Sequence, residues 1–348
     1  MTGAAAPRSG HSTSIFMRSL LFVLCAAILP ALSSAVLAAP ACPRPALPGP
    51  QAQAIVKTAL DEYTTFSGHR INAAGALWKA GAAESETEVL RDTNTGAADP
   101  AQPGRYAWRR VWEYWLTLER HVPGEAWGRK VVSVPGLLEN PRAAGRADET
   151  RLRDLIGDMD GGDGNVALRQ AAVRAALNDS PWSAAFISYV MDKAGLDPQQ
   201  FRFASAHWQY VQRALQQPEG YAYRACDPRT TVPAVGDLLC YSRGAPLLKD
   251  FAAWRTAAMQ TGFSAPAHCE VVVEVDTAAE KMETVGGNVV QSVARRRLRL
   301  NQENLLSLSH DPDRRRANKT SACARDISCE DDNLNLQYWS MLLQLKTD

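Results

Sequence analysis

A helical period governs the apolar positions in the first part of the chain. Residues 51 to about 66 place Ile55, Leu60 and Tyr63 roughly on one side of a predicted helix. A second helix is indicated by an apolar stripe that is rich in tryptophan: Trp108, Val111, Trp112, Trp115 and Leu118. Such a stripe usually packs in a core, and a face that stacks on sugar rings is the alternative.

Three further helical segments are predicted in the middle of the chain. The first covers 166–177. The segment 179–181 ends this helix and begins the second one, with Ser180 as N-cap and Pro181 at the first helical position. The third segment runs over 206–215.

After residue 235 the apolar positions change to a period of two. Strands are predicted at 236–241, 268–276 and 282–293, with an inserted helix at 247–259 and a closing strand at 336–345. The second strand alternates cleanly, with one apolar face (Cys269, Val271, Val273, Val275) and one polar face (His268, Glu270, Glu274). Helices followed by antiparallel strands predict an α+β fold.

Composition and charge narrow the function classes. The 348 residues carry a formal net charge of +1, whereas a dedicated nucleic-acid binder needs a strong basic excess. The sequence contains no glycine-rich nucleotide-binding loop. It also contains no C-x-x-C pair, the cysteine spacing that is typical of zinc sites. The acidic segment 158–164 lacks the EF-hand ligand pattern for calcium. We therefore expect no cofactor, no metal and no nucleic-acid partner.

The N-terminus has the parts of a secretory signal peptide. Arg18 precedes an apolar run over 20–32, and small residues follow up to Ala41. The run is shorter than the roughly 20 residues that span a bilayer, so a membrane anchor is the less favoured alternative. Cleavage after Ala41 would place Cys42 first, but Ala-Pro-Ala before it is a poor context for a lipoprotein. A periplasmic or secreted protein without a membrane span is expected.

Six cysteines remain after removal of a signal peptide, in a compartment where disulfides can form. Cys323 and Cys329 flank a short loop and are the predicted disulfide. The connectivity of the other four is left open: Cys42, Cys226, Cys240 and Cys269. Cys240 and Cys269 are interpreted as core thiols or disulfide partners rather than nucleophiles.

Three residues could carry nucleophilic chemistry. Ser183 lies in the first turn of a predicted helix, His268 opens a strand, and Asn288 follows two glycines on the next strand. A helix N-terminus favours negative charge and can stabilise an oxyanion. A histidine can then take the proton of the nucleophile while an amide orients the imidazole. The alternative is that Ser183 merely reaches back to Ser180.

These residues also carry a family resemblance. The segment 181–190, PWSAAFISYV, resembles the P-W-C-A-A-F-V-S-W-V segment of CHAP and NlpC-type amidases and peptidases, and His268 their catalytic histidine. Within that superfamily the chain is similar to domain-of-unknown-function family 2272 (DUF2272), through W-S-A-A-F-I-S, G-D-L-x-C-Y-S-R, H-C-E-V-V and G-G-N-V over about 181–293. The resemblance implies a papain-like core of helices packed on a small antiparallel sheet, preceded by an N-terminal helical extension.

The expected organisation follows from the pattern and the resemblance together. It comprises a signal peptide (1–41), a proline-rich linker (42–50), the helical extension (51–160) and the papain-like domain (161–348), with an insert helix at 247–260 and a polar insert at 307–333.

The resemblance and the expected compartment together imply an envelope hydrolase of amide or ester bonds, of the peptidoglycan amidase or peptidase type, that acts on cell-wall peptide or glycan. A monomer is expected. One departure stands out, because Ser183 replaces the superfamily's cysteine and a hydroxyl is a far weaker acid than a thiol. The alternatives are an inactive papain-like module that binds wall fragments or a protein partner, and an envelope acyltransferase.

Other residues are weighed beside the three. Asp237 is predicted to fix the turn before its strand. The run from Arg295 to Arg299 is interpreted as a solvated strand edge, with a contact surface for anionic envelope polymer as the alternative. His207 could line the cleft or be a satisfied helix histidine, and Asp179 could offer a carboxylate or act as a cap. The candidate substrate-binding residues are Trp182, His207, Asp179 and Glu270.

The signal peptide predicts loss of the N-terminus on export. Mass spectrometry of the periplasmic protein should give a first residue between 38 and 43, because the small residues that favour cleavage end there. A cytoplasmic protein that retains Met1 would contradict this prediction.

Overall fold

The computed structural model describes residues 42–43, 47–85, 107–125, 164–317 and 333–347. These residues belong to one unit, Ala41–Asp348. The predicted signal peptide, the acidic segment 158–164 up to residue 163 and the predicted Cys323–Cys329 disulfide lie outside the described residues.

Seven helices occur in the described ranges. They are α1 (Pro50–Thr65), α2 (Ala107–His121), α3 (Gly164–Asn178), α4 (Ser183–Lys193), α5 (His207–Gln216), α6 (Phe251–Ala258) and α7 (Pro312–Ala317). The predicted helices are confirmed in type and approximate position. The start of α4 differs from the prediction, because Trp182 and not Ser180 is its N-cap and no side chain caps it. Ser180 is instead tied by its N–H to the Leu177 carbonyl, at the end of α3.

The strands form a single eight-stranded sheet. They are β1 (His69–Ile71), β2 (Leu77–Lys79), β3 (Tyr223–Cys226), β4 (Leu238–Ser242), β5 (Ala267–Asp276), β6 (Lys281–Val289), β7 (Ser292–Arg299) and β8 (Trp339–Leu345). Their order is β2-β1-β7-β6-β5-β4-β8-β3, and every neighbouring pair is antiparallel except β1 and β7. The mixture of helices with a mainly antiparallel sheet confirms the α+β prediction.

The single strand predicted at 282–293 is in fact a hairpin of two strands. Val290 and Gln291 have φ values of 51° and 61° and reverse the chain between β6 and β7. The segment predicted as a helical extension also adds β1 and β2 to the sheet, with β1 beside β7.

Helices α1, α4, α5 and α6 cover one face of the sheet and, with α2 and α3, enclose the main core. The tryptophan stripe of α2 is buried in it: Trp108, Trp112 and Trp115 are at most 2% exposed. The interpretation of this stripe as core is therefore confirmed, and a sugar-stacking face is excluded. A second apolar cluster, which includes Leu239, Val272 and Trp339, lies on the other face of the sheet.

The arginine run lies on β7, which is an interior strand between β1 and β6. The interpretation as a solvated strand edge is therefore wrong. Arg296 is buried against Glu270, whereas Arg295 and Arg297 pair with Glu283. Alternation along the strand explains the difference, since neighbouring side chains point to opposite faces.

Two disulfides join distant parts of the described chain. Cys240 on β4 pairs with Cys269 on β5, where the two residues are cross-strand neighbours 4.1 Å apart at Cα. Cys42 pairs with Cys226 on β3 across 184 positions of sequence. Cys240 and Cys269 are thus disulfide partners within the core, as one of their two interpretations predicted.

In the described ranges, no helix is both long and apolar enough to cross a membrane.

The glycine pair of β6 allows close packing on both faces of the strand. A Cβ on Gly287 would lie 2.6 Å from Phe186 Cβ and 2.7 Å from Trp182 Cζ3, at the start of α4. A Cβ on Gly286 would lie 2.6 Å from Glu270 Cγ and 3.1 Å from His268 Nε2. Only the backbone of β6 therefore lies between α4 and the polar residues of β5.

We predict that Gly287→Ala lowers the free energy of unfolding by about 1–3 kcal/mol, because Phe186 and Trp182 must move to admit the methyl group. Chemical denaturation measures the change. Gly49→Ala is the control, since nothing lies within 4 Å of that position, and it should cost less than about 1 kcal/mol. Equal stabilities of the two variants would contradict the close approach of β6 and α4.

Candidate functional site

Ser183 is the first residue of α4 and is buried, with 4% of its surface exposed. The first hydrogen bond of the helix runs from the Phe186 N–H to the Trp182 carbonyl. The N–H groups before Phe186 therefore have no partner within the helix. Ser183 Oγ thus lies at the end of α4 where the helix dipole favours negative charge.

The hydroxyl of Ser183 is paired with a histidine. Ser183 Oγ lies 2.8 Å from Nε2 of His207, which is the first residue of α5 and is 3% exposed. Among the described residues, Nδ1 of His207 has no hydrogen-bond partner. The two helix starts thus bring together a hydroxyl and a ring nitrogen, the two groups that base-assisted nucleophilic attack requires.

His268 lies next to this pair, on β5. Its ring centre is 5.3 Å from that of His207 and 5.4 Å from that of Tyr241. Its Nε2 lies 3.3 Å from Glu270 Oε1, within ion-pair distance but outside hydrogen-bond geometry. The ring is 1% exposed. His268 therefore extends the polar cluster from His207 to Glu270.

Glu270 is held by groups from β6 and β7. Arg296 donates from Nε and Nη2 to the carboxylate at 3.0–3.2 Å, and the Thr284 hydroxyl donates to Oε2. Burial pushes the pKa of Glu270 upward, but the Arg296 guanidinium and His268 bring the pKa down to about 2. Glu270 is therefore a carboxylate at neutral pH, and its charge is balanced within the sheet.

Both histidines are neutral at neutral pH. Burial lowers the pKa of His207 well below its usual value, and the neighbouring His268 and Arg243 lower this pKa further. Burial also lowers the pKa of His268, although Glu270 opposes the shift. A neutral imidazole has a lone pair that can accept the proton of a hydroxyl.

The structure brings together only part of the predicted catalytic set. The hydrogen bond of Ser183 is made with His207, whereas His268 faces Glu270. Asn288 is half-buried, with a φ of 54°, and among the described residues no hydrogen bond joins it to His268. The pattern of the sequence could not show this pairing, because it depends on how α4 and α5 pack. One signal was present, since His207 begins a helix just as Ser183 does.

Of the other candidate residues, Trp182 and Asp237 have structural contacts. Trp182 is fully buried and its indole N–H donates to Glu84, a carboxyl group whose pKa burial raises to about 7 although that hydrogen bond opposes the shift. Asp179 is exposed beyond the end of α3. Asp237 accepts hydrogen bonds from the Ala234 and Leu345 N–H groups at 2.8 and 2.9 Å, which confirms its role in fixing the turn before β4.

No group of three or more His, Cys, Asp or Glu side chains in the described ranges could hold a metal ion. Arg296 and Thr284 satisfy Glu270, whereas Nδ1 of His207 and both ring nitrogens of His268 have no hydrogen-bond partner among the described residues. What this arrangement can do chemically is to transfer a proton between Ser183 and His207.

Comparison with known proteins gives one match. The profile of a family described as "Uncharacterized protein conserved in bacteria (DUF2272)" matches residues 102–324, which is 223 of the 348 residues. Searches of curated proteins and of solved structures found no match. The family-matched region includes Ser183, His207, His268 and Glu270.

We predict that His207 and His268 titrate below pH 6.5, the ordinary histidine value, because burial disfavours their charged forms. NMR titration of the ring protons, assigned with His207→Gln and His268→Gln, measures both values. Each residue binds its proton more readily after unfolding, so its contribution to the free energy of unfolding is present above pH 6.5 and is lost as the pH falls below it. A titration midpoint at or above 6.5 for His207 would contradict the buried, neutral pair.

Proposed function

The chain belongs to the DUF2272 family of bacterial proteins, and from the Ser183–His207 pair we propose that it is an exported hydrolase of amide or ester bonds in the cell envelope. The observation that carries the proposal is the 2.8 Å contact between a hydroxyl at a helix start and a neutral imidazole. The proposed substrate is peptidoglycan, and the proposed activity is that of an amidase or peptidase. The resemblance of the motifs and the proposed compartment both favour this substrate.

In the proposed reaction, His207 Nε2 takes the proton of Ser183 as Oγ attacks the carbonyl carbon of the substrate. The carbonyl oxygen becomes an oxyanion, which the N–H groups at the start of α4 that have no partner within the helix stabilise. His207 then returns the proton to the departing amine or alcohol, leaving an acyl group on Ser183. A water molecule, deprotonated by the same nitrogen, releases the acyl group and restores the serine.

His268 and Glu270 are assigned a supporting role. The proton transfer makes His207 positive in a buried place, which burial penalises. The Glu270–Arg296 ion pair carries no net charge to offset that cost; in this assignment it holds His268, whose ring lies against that of His207 and positions it. In this assignment His207 replaces His268 as the base, and no role is assigned to Asn288.

A papain-like core is part of the proposal. In support, α4 carries the candidate nucleophile at its N-terminus and packs on β5 and β6, which are antiparallel. The sheet extends beyond such a core, since β1, β2 and β7 continue it on one side.

The two disulfides support export, because disulfides persist in oxidising compartments and are rare in the cytosol. The pairing of Cys42 with Cys226 also argues against a lipoprotein, since the sulfur that a lipid would occupy is already bonded. A mature chain that begins at or just before Cys42 keeps this disulfide.

The rival function, a non-catalytic module that binds wall fragments, is favoured by one observation. Ser183, His207 and His268 are all less than 5% exposed. An active enzyme must therefore open a path to Ser183, whereas a binding module need not expose it.

We predict that a fluorophosphonate probe labels Ser183 of the purified mature protein, because such probes react with serines whose proton a base removes. Ser183→Ala should abolish labelling, and His207→Gln should slow it by about a hundredfold or more, the usual contribution of a general base. Mass spectrometry of the labelled peptide identifies the site.

Ser188→Ala is the matched control, since Ser188 is a buried serine of the same helix that bonds to Tyr210 and to the Ala204 carbonyl. Its labelling should equal that of the unaltered protein. Absence of labelling in a folded protein would overturn the hydrolase and favour the binding module, and labelling unaffected by His207→Gln would overturn the assignment of the base.

A further inference from the structure

A cavity separate from the Ser183 site opens at the β2 end of the sheet. It has a volume of about 250 Å³ and is lined by residues from β1, β2, β6 and β7 and the loop after β1. The lining shares no residue with the Ser183–His207–His268–Glu270 cluster. Arg295 and Arg297 line it, whereas Arg296 between them faces the opposite side of the sheet.

An aromatic ring forms one wall of this cavity. Trp78 lies on the edge strand β2 and is 59% exposed, which is unusual in a chain whose other described large aromatics are mostly buried. The Arg70 guanidinium lies 5.6 Å from the centre of the ring. An exposed indole beside a cavity offers a flat apolar face to a ligand.

Guanidinium groups form the other walls. Arg70, Arg295 and Arg297 surround the buried carboxylate of Glu283, so the lining has three positive groups and one negative group. Glu283 fixes their positions, and these charges lower its pKa against the opposing effect of burial. Arg297 keeps 42% of its side chain exposed while bonded to Glu283, so N–H donors remain available to a ligand.

From this juxtaposition of Trp78 with three guanidinium groups around a cavity, we propose that the β2 end of the sheet binds an anionic sugar. A guanidinium fork matches the geometry of a carboxylate or a phosphate, and a tryptophan face matches the apolar face of a sugar ring. The cavity is smaller than those that hold drug-sized ligands, which suits a single sugar unit. The net positive lining selects the charged over the neutral sugar.

The site is tested by NMR titration of the 15N-labelled full mature protein, following the indole N–H of Trp78, assigned with Trp78→Phe. The probes are glucuronate, glucose 6-phosphate, glucose, acetate and inorganic phosphate. At least one anionic sugar should bind tenfold or more tightly than glucose and than either ringless anion. A preference for glucuronate identifies a carboxylate as the recognised group, and a preference for glucose 6-phosphate identifies a phosphate.

Variants of the lining residues distinguish a specific binding site from general charge attraction. Trp78→Ala and Arg297→Gln should each weaken binding of the anionic sugar at least tenfold. Arg297→Lys should also weaken it, since it keeps the charge but loses the fork. Lys79→Gln is the control, because Lys79 is an exposed cation on β2 outside the lining, and it should change the affinity less than twofold.

Three results would overturn the proposal: equal binding of glucose, equal binding of a ringless anion, or an equal loss in Lys79→Gln and Arg297→Gln. The amide spectra of the variants establish that they are folded. None of these outcomes bears on labelling of Ser183, so the two proposals can fail separately.

Discussion

Glu270 on β5 and Arg296 on β7 form a buried ion pair, and β6 lies between the two strands. Removing one member of such a pair leaves an unpaired buried charge, at a cost of about 3–5 kcal/mol. Arg296 also donates to the Leu334 carbonyl and to Asn335, which ties β7 to the segment before β8. The pair therefore links β5 to β7 and positions the carboxylate that faces His268.

From this pair the polar groups continue toward the helices. His268 lies between Glu270 and His207, and His207 lies between His268 and Ser183. Each group is buried, so each depends on its neighbours for polar contact. The glycine pair of β6 permits this arrangement, because a side chain at Gly286 would collide with Glu270 and one at Gly287 with the start of α4. The fold thus supplies a neutral imidazole to a serine.

Much of the fold could be predicted from the sequence, because a helical or alternating period marks each long element. The short strands β1, β2 and β3 escaped prediction, since three or four residues are too few to show a period. The sequence pattern predicts one strand where β6 and β7 form a hairpin, because apolar Val289 and Val290 continue the pattern through the turn.

The sequence predicts which residues form the candidate site, but not which of them contact each other. Ser183 and His268 were recognised as candidates, yet the partner of Ser183 is His207, whose position depends on the packing of α5 against α4 and the sheet. The run of arginines predicts a surface charge at Arg296 as at its neighbours, although a period of two separates Arg296 from Arg295 and Arg297. Which face of β7 would be buried depends on the strands beside it, and no local pattern contains that information.

The central claim is that His207 accepts a hydrogen bond from Ser183 and so can act as a base. The tautomer of His207, read from its ring 15N chemical shifts at neutral pH, tests this claim most directly. We expect Nδ1 to carry the proton and Nε2 to be unprotonated, with a change in the Nε2 chemical shift when Ser183 is replaced by alanine. A proton on Nε2 would make His207 the donor to Ser183, so that His207 could not act as its base.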